Sequence, residues 1–107
     1  MTTFDEREQN FEKKFKHDQE LRFKANARRN KLLGLWAAAR MGLHASDAEA
    51  YAMAVVEADL GRAGTGAREK VLKDLSGKGL AASEAEVQRE QERLLEIAKE
   101  QVLKAGP

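Results

Sequence analysis

Apolar residues recur along this chain at the spacing of amphipathic helices, and they divide the sequence into four predicted helices. We expect these helices to cover about residues 3–41, 47–60, 67–76 and 84–104. No convincing alternating run of apolar and polar residues predicts a strand. The predicted stops are glycines: Gly42, Gly61, Gly64, Gly77, Gly79 and Gly106. Short connections between the helices favour an all-α fold, a compact antiparallel four-helix bundle.

Three hydroxyl residues stand three places before a glutamate, which is the spacing of a capping box at the start of a helix. The pairs are Thr3 with Glu6, Ser46 with Glu49, and Ser83 with Glu86. In each pair we expect the hydroxyl to accept a hydrogen bond from a free backbone N–H of the first helical turn.

Each predicted helix has an apolar face, and these faces predict the core. The first helix contributes Leu21, Ala25, Leu32, Leu35, Trp36 and Ala39, and the second contributes Ala48, Tyr51, Ala52, Val55, Val56 and Leu60. The third contributes Val71, Leu72 and Leu75, and the fourth contributes Val87, Leu94, Leu95, Ala98 and Val102.

The beginning of the long first helix differs from the rest of it. Phe4, Phe11 and Phe15 share one face, and residues 16–20 include no apolar residue that would join them to the aliphatic stripe. A helix of under about 15 residues is marginal in water unless it is packed. We therefore expect residues 1–20 to form a partly detached or frayed arm and residues 21–107 to form the helical bundle.

Two interpretations of the three phenylalanines stay open at this point. Their face can dock as a helix in the groove of a partner, with anchors at helical spacing. Alternatively, the three rings fold back onto their own bundle.

Composition narrows the classes of function. The chain has 107 residues, no cysteine and a net charge of +1, which predicts one domain, excludes disulfide and thiol chemistry, and gives no bulk attraction to nucleic acid. The longest apolar run, residues 35–39, is too short to span a bilayer. The acidic N-terminus lacks the pattern of a signal peptide, so a cytosolic or membrane-peripheral location is expected.

Candidate catalytic groups are sparse, so we expect a protein that is not an enzyme and has no metal site. His17 and His44 are isolated, and no Glu-x-x-His motif marks a di-metal bundle site. Gly61 and Gly66 have the glycine spacing of a phosphate-binding loop, but that loop needs Lys and then Ser or Thr where this chain has Ala67 and Arg68. A flexible turn is the favoured interpretation.

Arg28, Arg29, Asn30 and Lys31 form the sharpest basic cluster. The cluster is either a contact for phosphate or an acidic partner, since arginine can hold two oxygens at once, or a solvated helix face. Direct nucleic-acid binding is less favoured, because no aromatic residues are interleaved and no known module is recognisable.

A continuous string of residues in the N-terminal half resembles the signature of one family. Its elements are Phe4-Asp5, Arg7-Glu8, Phe11-Glu12, Lys14-Phe15, Asp18, Glu20-Leu21, Phe23-Lys24, Ala27-Arg28-Arg29-Asn30, Leu32-Leu33-Gly34 and Trp36-Ala37-Ala38. Sparser matches follow at Tyr51-Ala52, Val55-Val56, Ala58-Asp59, Val71 and Asp74. The string resembles the zeta subunit of the alphaproteobacterial F-type ATP synthase, an ATPase inhibitor from a family formerly classed as a domain of unknown function.

The resemblance implies a four-helix bundle whose N-terminal region enters the catalytic head between an alpha and a beta subunit, near the rotor. There it would block rotation in the direction of ATP hydrolysis. On this chain the implied partner-binding residues are Thr3, Phe4, Asp5, Arg7, Glu8, Phe11, Glu12, Lys13, Lys14 and Phe15. Arg28, Arg29 and Asn30 of the basic cluster are candidate secondary contacts.

The resemblance also implies partners and a location. The expected partners are the alpha, beta and gamma subunits of the catalytic head, with no nucleic acid and no direct membrane insertion. The free protein is expected to be a monomer, cytoplasmic, and peripheral to the inner membrane through the synthase. No cofactor is required, although weak nucleotide binding is implied without assignable residues.

Two rival functions remain. The same arm could belong to a regulatory binding module of another assembly. The basic cluster could instead bind nucleic acid, in which case binding would fall steeply with salt.

Overall fold

A computed structural model of the protein describes residues 18–105, and this range folds into four α-helices without a strand. They are α1 (Gln19–Arg40), α2 (Ala45–Ala58), α3 (Thr65–Gly77) and α4 (Glu84–Ala105). The predicted all-α, four-helix architecture is confirmed. The predicted arm lies outside the described residues except for its last three positions.

The long helix α1 is the centre of the bundle. It packs most extensively against α2 and α4, while the shorter α3 closes the bundle against the other three helices. The main core contains Leu33 and Ala37 of α1, Val55 of α2, Ala67, Val71 and Leu75 of α3, and Val87 and Leu94 of α4. A smaller core joins Ala25 near the start of α1 to Val102 near the end of α4.

The predicted core face of α1 is partly wrong. Ala25 is buried as expected, and Leu32 and Trp36 are partly buried and pack against the main core, but Ala39 is exposed. The buried apolar positions of α1 are Ala25, Leu33, Gly34, Ala37 and Ala38. Small residues occupy the face toward α2 because the two helices approach closely: a Cβ added at Gly34 would lie 2.6 Å from the Cα of Ala52.

Leu60 is a second exception to the predicted core. Its side chain is 65% exposed, because α2 ends at Ala58 and Leu60 lies in the turn that follows. The other predicted core residues of α2, α3 and α4 are buried or partly buried.

The first described helix begins at Asp18, which is its N-cap. Asp18 has extended backbone (φ −117°, ψ 101°), and its carboxylate accepts a hydrogen bond of 3.1 Å from the backbone N–H of Leu21. Aspartate is among the strongest N-cap residues, since its oxygen satisfies a free donor of the first turn. The part of the predicted first helix that precedes Asp18 lies outside the described residues.

The capping-box predictions have different outcomes. Ser83 Oγ accepts from the backbone N–H of Glu86 at 3.0 Å, so the predicted start of α4 is confirmed. Ser46 is not a cap: α2 begins one residue earlier, and its N-cap is His44, which makes no side-chain capping bond. The pair of Thr3 and Glu6 lies outside the described residues.

The close contact of α1 with α2 predicts that Gly34→Ala destabilises the fold. The added methyl would force apart two backbones, and overpacking of this kind costs about 1–3 kcal/mol. Gly77→Ala is the matched control, because a Cβ at that helical position meets nothing within 4 Å. Chemical denaturation should show a loss of unfolding free energy for Gly34→Ala and none for Gly77→Ala. Equal stabilities would contradict the close packing.

Candidate partner-binding site

The ten arm residues predicted as partner contacts, within residues 3–15, lie outside the described residues, as does His17. The described part of the site starts at Asp18 and continues along α1. It therefore includes the secondary candidates Arg28, Arg29 and Asn30, whose surroundings can be examined directly.

Two members of the basic cluster are inside the protein. Arg29 is 8% exposed and Asn30 is 4% exposed, whereas Arg28 is exposed. The interpretation of the cluster as a solvated face is therefore wrong for Arg29 and Asn30. Their involvement with a partner stays a prediction, and Arg28 is the one of the three whose side chain already faces solvent.

The buried carboxylate of Asp59 explains why Arg29 and Asn30 turn inward. Asp59 Oδ2 accepts from Asn30 Nδ2 at 2.8 Å and lies 3.7 Å from Arg29 Nη2. The same oxygen accepts from the backbone N–H of Gly64 at 2.9 Å, and Asp59 Oδ1 accepts from that of Ala67 at 3.0 Å. Asp59 thus follows the end of α2 and satisfies free donors at the start of α3, where negative charge is favoured.

Further bonds extend this group to α4. Gln91 Nε2 donates to the carbonyl oxygen of Gly64 at 2.8 Å, and Gln91 Oε1 accepts from Arg68 at 3.2 Å. Arg29 Nε donates to Asn30 Oδ1 at 3.2 Å. We call Arg29, Asn30, Asp59 and Gln91 the Asp59 cluster; it joins all four helices through buried polar contacts.

Keeping Arg29 charged inside the protein costs free energy. Burial lowers the pKa of its guanidinium, and the nearby Asp59 carboxylate opposes that shift. Arg29 Nη2 is buried without a hydrogen-bond partner in the described part of the chain. The ion pair therefore makes Asp59 necessary to the fold, because removing it would leave a buried cation uncompensated.

Residues 61–64 form a turn, as expected, and Thr65 and Gly66 already belong to α3. Gly61, Ala63 and Gly64 have positive φ angles of 71°, 51° and 93°, which position the backbone N–H groups toward Asp59. The donors that a phosphate-binding loop would offer at Gly64 and Ala67 are thus taken by the protein's own carboxylate. Within residues 18–105 no group of three or more His, Cys, Asp or Glu side chains could hold a metal ion.

The sequence profile of ATPase inhibitor subunit zeta matches residues 1–101. The chain belongs to this family. The match includes both the predicted arm and most of the bundle, and the family description is that of a regulatory protein. A search of curated proteins finds no match. In the described part of this zeta-family protein, none of the helices has the length and apolar character needed to cross a membrane.

Sequence reasoning missed the role of Asp59 in this zeta-family fold. A weak signal was present, since an acidic residue just after a helix meets the negative end of the helix dipole and calls for compensation. The compensating cation, Arg29, is too distant in the sequence for any local pattern to reveal it.

A separate polar contact joins α2 to α3. The Tyr51 hydroxyl donates to Asp74 Oδ2 at 2.8 Å, and Lys70 Nζ lies 3.0 Å from the same oxygen and 5.3 Å from the centre of the Tyr51 ring. Burial, followed by the hydrogen bond to Asp74 and its charge, raises the pKa of Tyr51 well above its ordinary value.

The Asp59 cluster predicts that Asp59→Asn lowers the free energy of unfolding by about 3–5 kcal/mol, because Arg29 would lose its counter-ion in a buried site. Glu69→Gln is the matched control: it removes the exposed ion pair to Arg62, whose N–O distance is 3.0 Å, and should cost less than about 1 kcal/mol. Urea denaturation measures both variants. Similar small losses would show that Asp59 does not hold Arg29.

The raised pKa of Tyr51 predicts a stability that depends on alkaline pH. Unfolded tyrosine ionises near pH 10, whereas folded Tyr51 stays neutral, so its contribution is complete below about pH 10 and is lost as the pH rises further. The unfolding free energy of the wild type should exceed that of Tyr51→Phe at pH 8, and the difference should shrink by pH 11. A constant difference would contradict the shift.

Proposed function

We propose that this protein inhibits ATP hydrolysis by an F-type ATP synthase, by inserting its N-terminal arm between an alpha and a beta subunit near the rotor. The observation that carries the proposal is the match to ATPase inhibitor subunit zeta, which covers residues 1–101 and so includes the arm. Bound there, the arm blocks rotation in the direction of hydrolysis. The partners are the alpha, beta and gamma subunits of the catalytic head, and the protein lies at the cytoplasmic side of the membrane through the synthase.

The chemistry of the arm suits insertion into a crevice. Phe4, Phe11 and Phe15 each contribute about 1.5–3 kcal/mol of transfer free energy when buried, part of which is offset by ordering the arm. The polar contacts would come from the charged residues between the rings, namely Asp5, Arg7, Glu8, Glu12, Lys13 and Lys14, with Thr3 at the start.

The start of α1 supports separate roles for the arm, which binds the partner, and the bundle, which stays folded. Asp18 caps α1 with its own carboxylate, so the bundle helix begins there without needing a helical segment before it. The bundle can then remain folded whether the arm is free or inserted into its partner.

Inhibition of this kind needs binding and no catalysis. The arm must bind more tightly in one rotary state than in the others, and rotation toward synthesis must open the interface again. Weak nucleotide binding, implied by the family resemblance, remains a proposal without assigned residues.

The rival nucleic-acid function is disfavoured because Arg29 and Asn30 are buried and cannot contact phosphates from the surface. They leave Arg28 and Lys31 of the four-residue cluster at the surface, and Lys31 Nζ lies 3.6 Å from Glu49 Oε2. A net charge of +1 gives the chain little general attraction for the phosphates of nucleic acid.

The arm predicts that Phe11→Ala and Phe15→Ala weaken inhibition of ATP hydrolysis without lowering the melting temperature. Each variant removes one apolar anchor, and we expect the half-inhibitory concentration against a cognate synthase to rise about tenfold or more. The assay measures ATP hydrolysis at increasing concentrations of each variant, beside thermal unfolding followed by circular dichroism.

Leu80→Ala is the control, because Leu80 is a partly exposed apolar residue between α3 and α4, remote from the arm in sequence. It should inhibit like the wild type. Unchanged inhibition by both phenylalanine variants would refute the role of the arm, and a large loss of melting temperature would instead favour rings folded onto the bundle.

A further inference from the structure

Three of the large apolar side chains exposed within residues 18–105 lie together. Phe23 is 66% exposed, Met53 is 49% exposed and Leu60 is 65% exposed. Phe23 belongs to the first turns of α1, while Met53 and Leu60 lie at the last turns of α2 and just after it. Single exposed apolar residues are ordinary, but a contiguous group of them on a folded protein indicates an interaction site.

These side chains border two adjoining grooves. One has a volume of about 400 Å³ and reaches Met53 and the end of α4, and the other has a volume of about 310 Å³ and reaches Leu60. Phe23, Ala27 and Val56 line both, so the grooves form one surface between α1 and α2. We call this surface the Phe23 groove; its anchors at positions 53, 56 and 60 follow one face of α2 and continue past its end.

The half of the Phe23 groove that reaches Met53 has three cations at its rim. Lys24, Arg28 and Lys31 line it. Lys24 Nζ lies 3.3 Å from Glu20, and Lys31 Nζ lies 3.6 Å from Glu49, both in exposed pairs that solvent weakens. The structure shows no ion pair between Arg28 and another residue of the described range. The rim therefore presents cations that an acidic partner can bind.

The groove also lies next to the root of the arm. Phe23 follows the N-cap Asp18 by five residues, which is about 7.5 Å along the helix axis. A target that holds the arm is consequently within reach of the groove.

We propose that the Phe23 groove binds an amphipathic helix of the synthase's catalytic head, a helix with an apolar ridge flanked by carboxylates. This proposal rests on the proposed function. It adds to the contact made by the arm a second, preformed binding surface on the bundle. Apolar anchors set the position of the bound helix, and Lys24, Arg28 and Lys31 select its acidic flanks.

The charges disfavour one other occupant. A symmetric contact between two copies of the chain would place the same cationic rim against itself, and an acidic helix of another subunit avoids that repulsion. The chain's own arm carries Asp5, Glu8 and Glu12 beside its phenylalanines, so the test below must separate it from a partner helix.

The test measures inhibition of ATP hydrolysis by full-length variants against a cognate synthase. Phe23→Ala removes the central anchor, and Arg28→Glu reverses the charge of one rim cation. Each should raise the half-inhibitory concentration about tenfold. Leu80→Ala and Lys73→Glu are the matched controls, because Leu80 and Lys73 lie outside both grooves, and Lys73 is exposed. They should stay within about twofold of the wild type.

Salt gives a second readout. The half-inhibitory concentration of the wild type should rise with ionic strength more steeply than that of Arg28→Glu, since the variant has already lost an attractive charge. Equal salt dependence in the two proteins would count against an acidic partner.

The outcomes separate this proposal from the function on which it rests. If the wild type fails to inhibit, the proposed function fails and the groove proposal with it. If the wild type inhibits and both groove variants match it, the groove proposal is overturned while the function stands. Stronger inhibition by the groove variants would show that the groove stores the arm. A wild-type dimer that Phe23→Ala dissociates would show a second copy there. Either result overturns the proposal.

Discussion

The described bundle depends most on the interactions of the Asp59 carboxylate. This carboxylate stands at the end of α2, where the helix dipole disfavours a negative charge, and at the start of α3, where the dipole favours one. Two backbone N–H groups, Asn30 and the guanidinium of Arg29 share this one group. A buried ion pair is tolerated only when the polar atoms around it are largely satisfied by hydrogen bonds. Here the bonds that satisfy Asp59 come from Asn30 of α1 and from the start of α3, so they also connect these two helices.

The fold could be predicted where local periodicity was strong and failed where distant residues decided the outcome. The positions of Val55, Leu75 and Val87 in the core followed from helical spacing. The inner face of α1 did not, because Gly34 is buried where α2 approaches closely. Arg29 was read as a surface residue for the same reason: its counter-ion Asp59 is thirty positions away and lies on another element.

The candidate site shows the same division. The interval without apolar residues at positions 16–20 indicated a change of role along the first helix, and α1 begins inside that interval at Gln19. Asp18 as a cap was missed, because the capping-box pattern starts with a hydroxyl residue. The Phe23 groove was also beyond sequence reasoning, because its two walls come from α1 and α2 and meet only in the folded chain.

A second contact at the Phe23 groove would raise the affinity because ordering an arm on binding costs free energy. Fixing the backbone costs conformational entropy for every residue ordered, so an arm that orders on binding loses much of what three phenyl rings gain. A groove between packed helices is already formed and carries no such cost. Once the bundle is held there, insertion of the arm becomes effectively intramolecular, and a modest contact at Phe23 can raise the overall affinity without new contacts in the arm. The proposed block of the rotor would thus gain affinity from a bundle that holds the arm in place.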